Sequence, residues 1–125
     1  MKRINVNPKN LKTGDCVVRA IAYSLEQTWD ETYHDLCELG FKMKRMPNDK
    51  QVYEKYLELK GWVKQKQPRT VLNSNLTILE FIEYQLERKA IISVANHLTC
   101  VDNFELIDTW DCSHKCIGNY WIKEN

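Results

Sequence analysis

No stretch of this sequence is apolar for long enough to span a membrane. The first residues, Met1-Lys2-Arg3-Ile4-Asn5-Val6, lead into polar residues rather than the apolar core of a signal peptide. Charge of one sign is missing as well. The 18 basic and 17 acidic residues leave a net charge of +1, so the chain as a whole has no electrostatic footprint for nucleic acid or an anionic membrane. There is no internal repeat, low-complexity segment or linker, and a length of 125 residues fits one domain, 1–125. The five cysteines, at 16, 37, 100, 112 and 116, are odd in number and cannot all pair. Together these absences predict a soluble, cytoplasmic protein with free thiols, in which the glycosylation triplet Asn75-Leu76-Thr77 carries no meaning. What is present suffices for a core: 43% of residues are hydrophobic and 10% aromatic.

The chain is organised around Thr13-Gly14-Asp15-Cys16-Val17-Val18-Arg19-Ala20. A polar turn with a glycine leads into a cysteine, and apolar residues at helical spacing (Val17, Ala20, Ile21, Leu25) follow to about Gln27. Thr13 or Asp15 can cap this helix, because each offers a side-chain oxygen to the free N–H groups of the first turn. Cys16 falls in that turn, where the helix dipole favours a thiolate. Two readings of Cys16 are open at this point. It is a small buried hydrophobe, the usual fate of a free cysteine, or it is a nucleophile awaiting a base.

Three further helices follow. Thr28-Trp29-Asp30-Glu31 is a capping-box pattern, and its helix carries Trp29, Tyr33, Leu36, Cys37 and Leu39 to a stop at Gly40. Asn48-Asp49-Lys50-Gln51 starts a third helix, which Gly61 ends. Trp62 to Lys66 reads as a short strand and residues 67–76 as a loop. Thr77-Ile78-Leu79-Glu80 caps a fourth helix that reaches about Arg88. The pattern then changes to β-rich runs at Ala90–Ala95, His97–Val101, Phe104–Thr109 and Ile117–Ile122. Helices first and an antiparallel sheet afterwards describe an α+β domain.

Asp102-Asn103 is good hairpin-turn chemistry. A two-residue loop there sets Val101 opposite Phe104 and, counting outward, His97 opposite Asp108 on the same face, with Cβ atoms about 4.5–5.5 Å apart. A one-residue slip would separate them onto opposite faces. A carboxylate beside an imidazole fixes its tautomer and stabilises its protonated form, and such an imidazole can hold a nearby cysteine as thiolate. The alternative is a hairpin pair on a solvated face.

These residues resemble a papain-like cysteine peptidase. In that family a nucleophilic Cys opens the central helix after a Gly-x-Cys turn, and His and Asn or Asp follow much later on adjacent strands. Gly14-Asp15-Cys16, His97 and Asp108 match in type and order. The start Gly14-Asp15-Cys16-Val17-Val18-Arg19-Ala20, with Asp108-Thr109-Trp110-Asp111 and Tyr120-Trp121, is similar more narrowly to small bacterial and phage proteins of this fold. The resemblance implies a papain-like fold with catalytic Cys16, His97 and Asp108, no cofactor, and a protein or peptide substrate. It also implies a side-chain amide upstream of the cysteine for the oxyanion. Asn10, six residues before Cys16, stands there with a shorter reach than Gln, or else it caps a loop.

Other features have competing uses. Alternation along Cys112-Ser113-His114-Lys115-Cys116 lets three zinc-type donors converge, but a fourth ligand is missing, and turn residues with incidental thiols fit as well. The basic runs Lys42–Arg45 and Lys60–Arg69 read as solvated edges or binding surfaces. Trp110 and Trp121 read as packing or as groove walls. Sequence alone therefore predicts a thiol hydrolase acting on peptide or isopeptide bonds; acyl transfer and side-chain deamidation would use the same residues. The alternative is a non-enzymatic phage or bacterial protein that binds and blocks a host protein from the same scaffold.

Overall fold

Thr28, Asp49 and Thr77 each start a helix by accepting a hydrogen bond from a first-turn N–H: Glu31 N at 3.0 Å, Gln51 N at 2.8 Å and Glu80 N at 3.1 Å. At Thr77 the box is complete, because Glu80 Oε1 accepts the Thr77 N–H in return at 3.0 Å. The computed structural model, which describes residues 1–124, contains helices α1 (Cys16–Leu25), α2 (Trp29–Met43), α3 (Lys50–Leu59) and α4 (Ile78–Glu83). Its strands are β1 (Lys2–Arg3), β2 (Trp62–Gln65), β3 (Ala90–Val94), β4 (His97–Asp102), β5 (Glu105–Asp108) and β6 (Tyr120–Lys123).

The strands form one sheet in the order β1-β5-β4-β3-β6-β2. The α+β class holds, but the sheet is mixed rather than antiparallel: β1 runs parallel to β5, with Lys2 opposite Ile107 and Arg3 opposite Asp108. A two-residue edge strand leaves almost no periodic signal in sequence.

Two apolar clusters flank the sheet. Val17, Ile21, Leu36, Val52, Leu57, Leu98 and Trp121 belong to the one that includes α1–α3; Ile78, Phe81, Ile92, Val101, Leu106 and Ile117 belong to the one that includes α4. Strand β3 is buried at every residue, with Ile91 in the first cluster and Ala90, Ile92 and Val94 in the second. Burial on both faces explains why that run is apolar at every position but Ser93 instead of alternating. Each such isoleucine contributes about 1.5–3 kcal/mol on burial. Helix α1 packs on β4, and this packing brings the start of the helix to the start of the strand.

Gly40 does not end its helix. Helix α2 runs on to Met43, and Lys44 takes the left-handed cap at φ 59°. Gly40 is buried because the exit of the helix folds back on it: Arg45 N donates to Gly40 O at 2.9 Å, and a Cβ at Gly40 would meet Arg45 O at 2.6 Å. Close backbone approach, not a turn, requires this glycine. Helix α4 is shorter than expected, because Gln85 turns left-handed at φ 50° and Leu86 N closes onto Phe81 O. Among the described residues no helix is long and apolar enough to cross a membrane.

Candidate active site

Asp15 occupies the cap position of α1 but does not cap it. Its carboxylate is taken by three other donors: Arg19 Nε on Oδ1 at 2.8 Å, and Asn7 Nδ2 at 3.1 Å and Trp29 Nε1 at 3.0 Å on Oδ2. Burial alone would raise its pKa; these hydrogen bonds and the Arg19 charge lower it below the usual carboxylate value. The turn before Cys16 is therefore held by a buried ion pair rather than by a helix cap.

Cys16 is the first residue of α1 and half-buried. Burial pushes its thiol pKa up, but a hydrogen bond with His97, the Leu98 backbone N–H and the charges of His97 and Arg19 outweigh that and lower it. His97 opens β4, and its Nε2 lies 2.7 Å from Asp108 Oδ2. With Nε2 committed to Asp108, Nδ1 is the nitrogen that remains for Cys16. Burial would lower the imidazole pKa; the hydrogen bonds with Asp108, Cys112 and Cys16 raise it instead. Trp110 covers the ring, with centroids 5.1 Å apart and planes tilted by 55°.

Asp108 ends β5 and is 5% exposed. Its two oxygens have separate partners. Oδ1 accepts from Arg19 Nη1 at 3.3 Å and from the Thr109 N–H at 2.6 Å. Oδ2 faces His97 and accepts from Cys112 Sγ at 3.7 Å. Burial would raise this carboxyl, and the His97 hydrogen bond leads the interactions that hold it low.

The hairpin register differs from the expected one. Asp102 pairs with Glu105 and Cys100 with Ile107, so the loop is Asn103-Phe104 and not Asp102-Asn103. Both loop residues are left-handed, at φ 54° and 60°, as a two-residue turn matched to the strand twist requires. Continuing this register sets Thr99, not His97, opposite Asp108. The shift is by two residues, so side-chain parity is kept and His97 reaches Asp108 diagonally on the same face.

Asn10 is exposed at φ 53°, and its N–H donates to Asn7 O at 2.9 Å. The buried amide near the start of α1 is Asn7, whose Nδ2 is spent on Asp15. A cleft of about 430 Å³ opens at Cys16 and His97, walled by Tyr53, Asn48, Lys50 and Asn96.

Cys112, His114 and Cys116 do not gather. His114 and Cys116 are exposed, whereas Cys112 is buried beside the site. A ring nitrogen of His97, a carboxylate oxygen of Asp108 and Cys112 Sγ lie within 4.8 Å of one another, which makes a different donor set from the one suggested by alternation. Trp121 is core, 1% exposed and edge-on to Tyr53, while Trp110 flanks the imidazole. Sequence reasoning missed Arg19, Asn7 and Cys112 as parts of the site. The Asp15–Arg19 spacing of one helical turn was a usable signal for Arg19; nothing local pointed to Asn7 or Cys112. Comparison of the chain with protein-family models, with curated proteins and with solved structures gives no match.

Proposed function

We propose that this chain is a thiol hydrolase of papain-like architecture that cleaves peptide or isopeptide bonds. One arrangement carries the reading: His97, whose imidazole lies 2.7 Å from the buried Asp108 carboxylate, lines the same cleft as Cys16 at the start of a helix. In this reading Cys16 is a thiolate paired with the His97 imidazolium, which Asp108 orients. Sγ attacks the acyl carbon and forms the C–S bond. The oxyanion takes the Cys16 N–H, one of the first-turn donors that have no partner within a helix; Asn10 is the candidate second donor. His97 then gives its proton to the leaving amine as the C–N bond breaks. Water, deprotonated by His97, releases the acyl group.

The test is the rate of Cys16 alkylation by iodoacetamide against pH, read by peptide mass spectrometry in the wild type and in His97→Ala. The expected result is reaction well below the range of a free thiol, whose pKa is about 8.5, and loss of that reactivity in His97→Ala. Ordinary thiol titration in both proteins would sink the reading.

A second reading, a non-enzymatic binder on the same scaffold, has its own support. Val71 and Leu72 are adjacent and almost fully exposed, at 104% and 90%, on the loop bridged by Arg69 and Asn75. Cys16→Ala separates the two readings: it abolishes the effect of an enzyme and spares that of a binder.

A further inference from the structure

We propose that Cys112, His97 and Asp108 form a binding site for one zinc-type divalent cation, and that this cation displaces the hydrogen bond on which the Cys16 site depends. Thiolate, imidazole and carboxylate are the donor types that Zn²⁺ takes. All three candidate donor atoms lie within 4.8 Å of one another. A tetrahedral Zn²⁺ sets a sulfur and an oxygen ligand roughly 3.6 Å apart. Cys112 Sγ and Asp108 Oδ2 already stand 3.7 Å apart. The His97–Asp108 separation of 2.7 Å must open, since two such ligands sit roughly 3.4 Å apart around the metal. The metal therefore takes the place of the proton between them.

Charge is conserved in the exchange. Zn²⁺ enters, one proton leaves the His97 imidazolium and one leaves the Cys112 thiol. The set of His97, Asp108 and Cys112 thus keeps its formal charge, and Arg19 stays paired with Asp15 and Asp108. The second shell is in place: Arg19 and the Thr109 N–H hold Asp108 Oδ1 and leave Oδ2 as the ligand oxygen. Entry is from the cleft that His97 lines. Metal binding does not rest on the hydrolase reading; only its consequence for Cys16 does.

The test begins with Cys16→Ala, which keeps all three ligands and removes the competing thiol. Co²⁺ titration should give a sulfur-to-cobalt charge-transfer band that saturates at about one equivalent and is lost when Cys112→Ser is added. A band that survives Cys112→Ser, or no band in Cys16→Ala, overturns the site. A measurement that needs no change at Cys112 is X-ray absorption of the Zn²⁺-loaded Cys16→Ala protein. The expected shell is one sulfur at about 2.3 Å, with nitrogen and oxygen at about 2.0–2.2 Å. A shell with no sulfur, or with two, overturns it. In the wild type, Zn²⁺ should slow Cys16 alkylation at least tenfold, and Cys112→Ser should remove the protection. Unchanged alkylation overturns the coupling. A Cys16 that is inert without metal counts against the hydrolase, and the cobalt band still decides the metal site.

Discussion

Arg19 Nη1 lies 3.3 Å from Asp108 Oδ1, joining residues 89 apart in sequence, while Arg19 Nε holds Asp15 at 2.8 Å. One guanidinium thus ties the turn before the candidate nucleophile to the carboxylate behind the candidate base. Its side chain is 13% exposed, and those of its partners are 6% and 3% exposed. Arg19→Met would take the cation from buried Asp15 and leave buried Asp108 with His97 alone, and we expect a loss of about 3 kcal/mol in urea denaturation. Arg19→Lys should recover part of this loss, since an ammonium has no fork with which to bridge both acids. Equal stability of Arg19→Met and wild type would remove the network as a structural element.

Asp108→Asn keeps the shape of the site and removes its charge. The amide cannot hold His97 as imidazolium, so the Cys16 thiol should return toward ordinary reactivity. Iodoacetamide alkylation near pH 6 should fall at least tenfold, and turnover on any substrate by about 10²–10⁴. Unchanged alkylation would mean that Asp108 does not act through His97.

The same pair sets a pH dependence of stability. The pKa of His97 is raised in the fold, so its contribution is complete below the unfolded value of about 6.5 and is lost as pH rises toward the folded value. Asp108 is lowered, so its contribution is present above about 3.9 and is lost as pH falls. Both shifts describe one ion pair and count once. We expect maximal stability between about pH 4 and 6.5, and a decline on the alkaline side that the lowered Cys16 thiol partly offsets. Urea denaturation from pH 5 to 9 should show that decline in the wild type and a flatter arm in His97→Gln. Parallel alkaline arms would rule out the ion pair.

Gly40→Ala tests the close approach at the end of α2. Helix propensity alone favours alanine by about 1 kcal/mol. The added methyl meets a carbonyl oxygen, Arg45 O, at 2.6 Å, and a backbone atom cannot yield as a flexible side chain can. The net expectation is destabilisation of about 1–3 kcal/mol, read as a lower Tm. A Tm that rises would show that the exit of the helix adapts freely.

Much of the fold was legible because local rules decide it. Thr28, Asp49 and Thr77 announce helix starts through side-chain oxygens that act within three residues. Ala90–Val94 announces a doubly buried strand through an apolar run interrupted only at Ser93. The ends were less legible. Gly40 has the signature of a helix stop, yet a contact with residue 45 explains it, and the two-residue β1 exists only because β5 offers it an edge.

The sequence by itself determined the helix starts, the hairpin between β4 and β5, and the parity that keeps His97 and Asp108 on one face, because each follows from backbone periodicity over a few residues. Only the tertiary structure decided the register of that hairpin, since Asn103-Phe104 and Asp102-Asn103 are both two-residue turns and packing on both sides of the sheet selects between them. It also decided the company of the site: Arg19 across to Asp108, Cys112 beneath His97, and Asn7 on Asp15. These contacts join residues from separate elements, and their energies depend on burial, which no local stretch of sequence encodes.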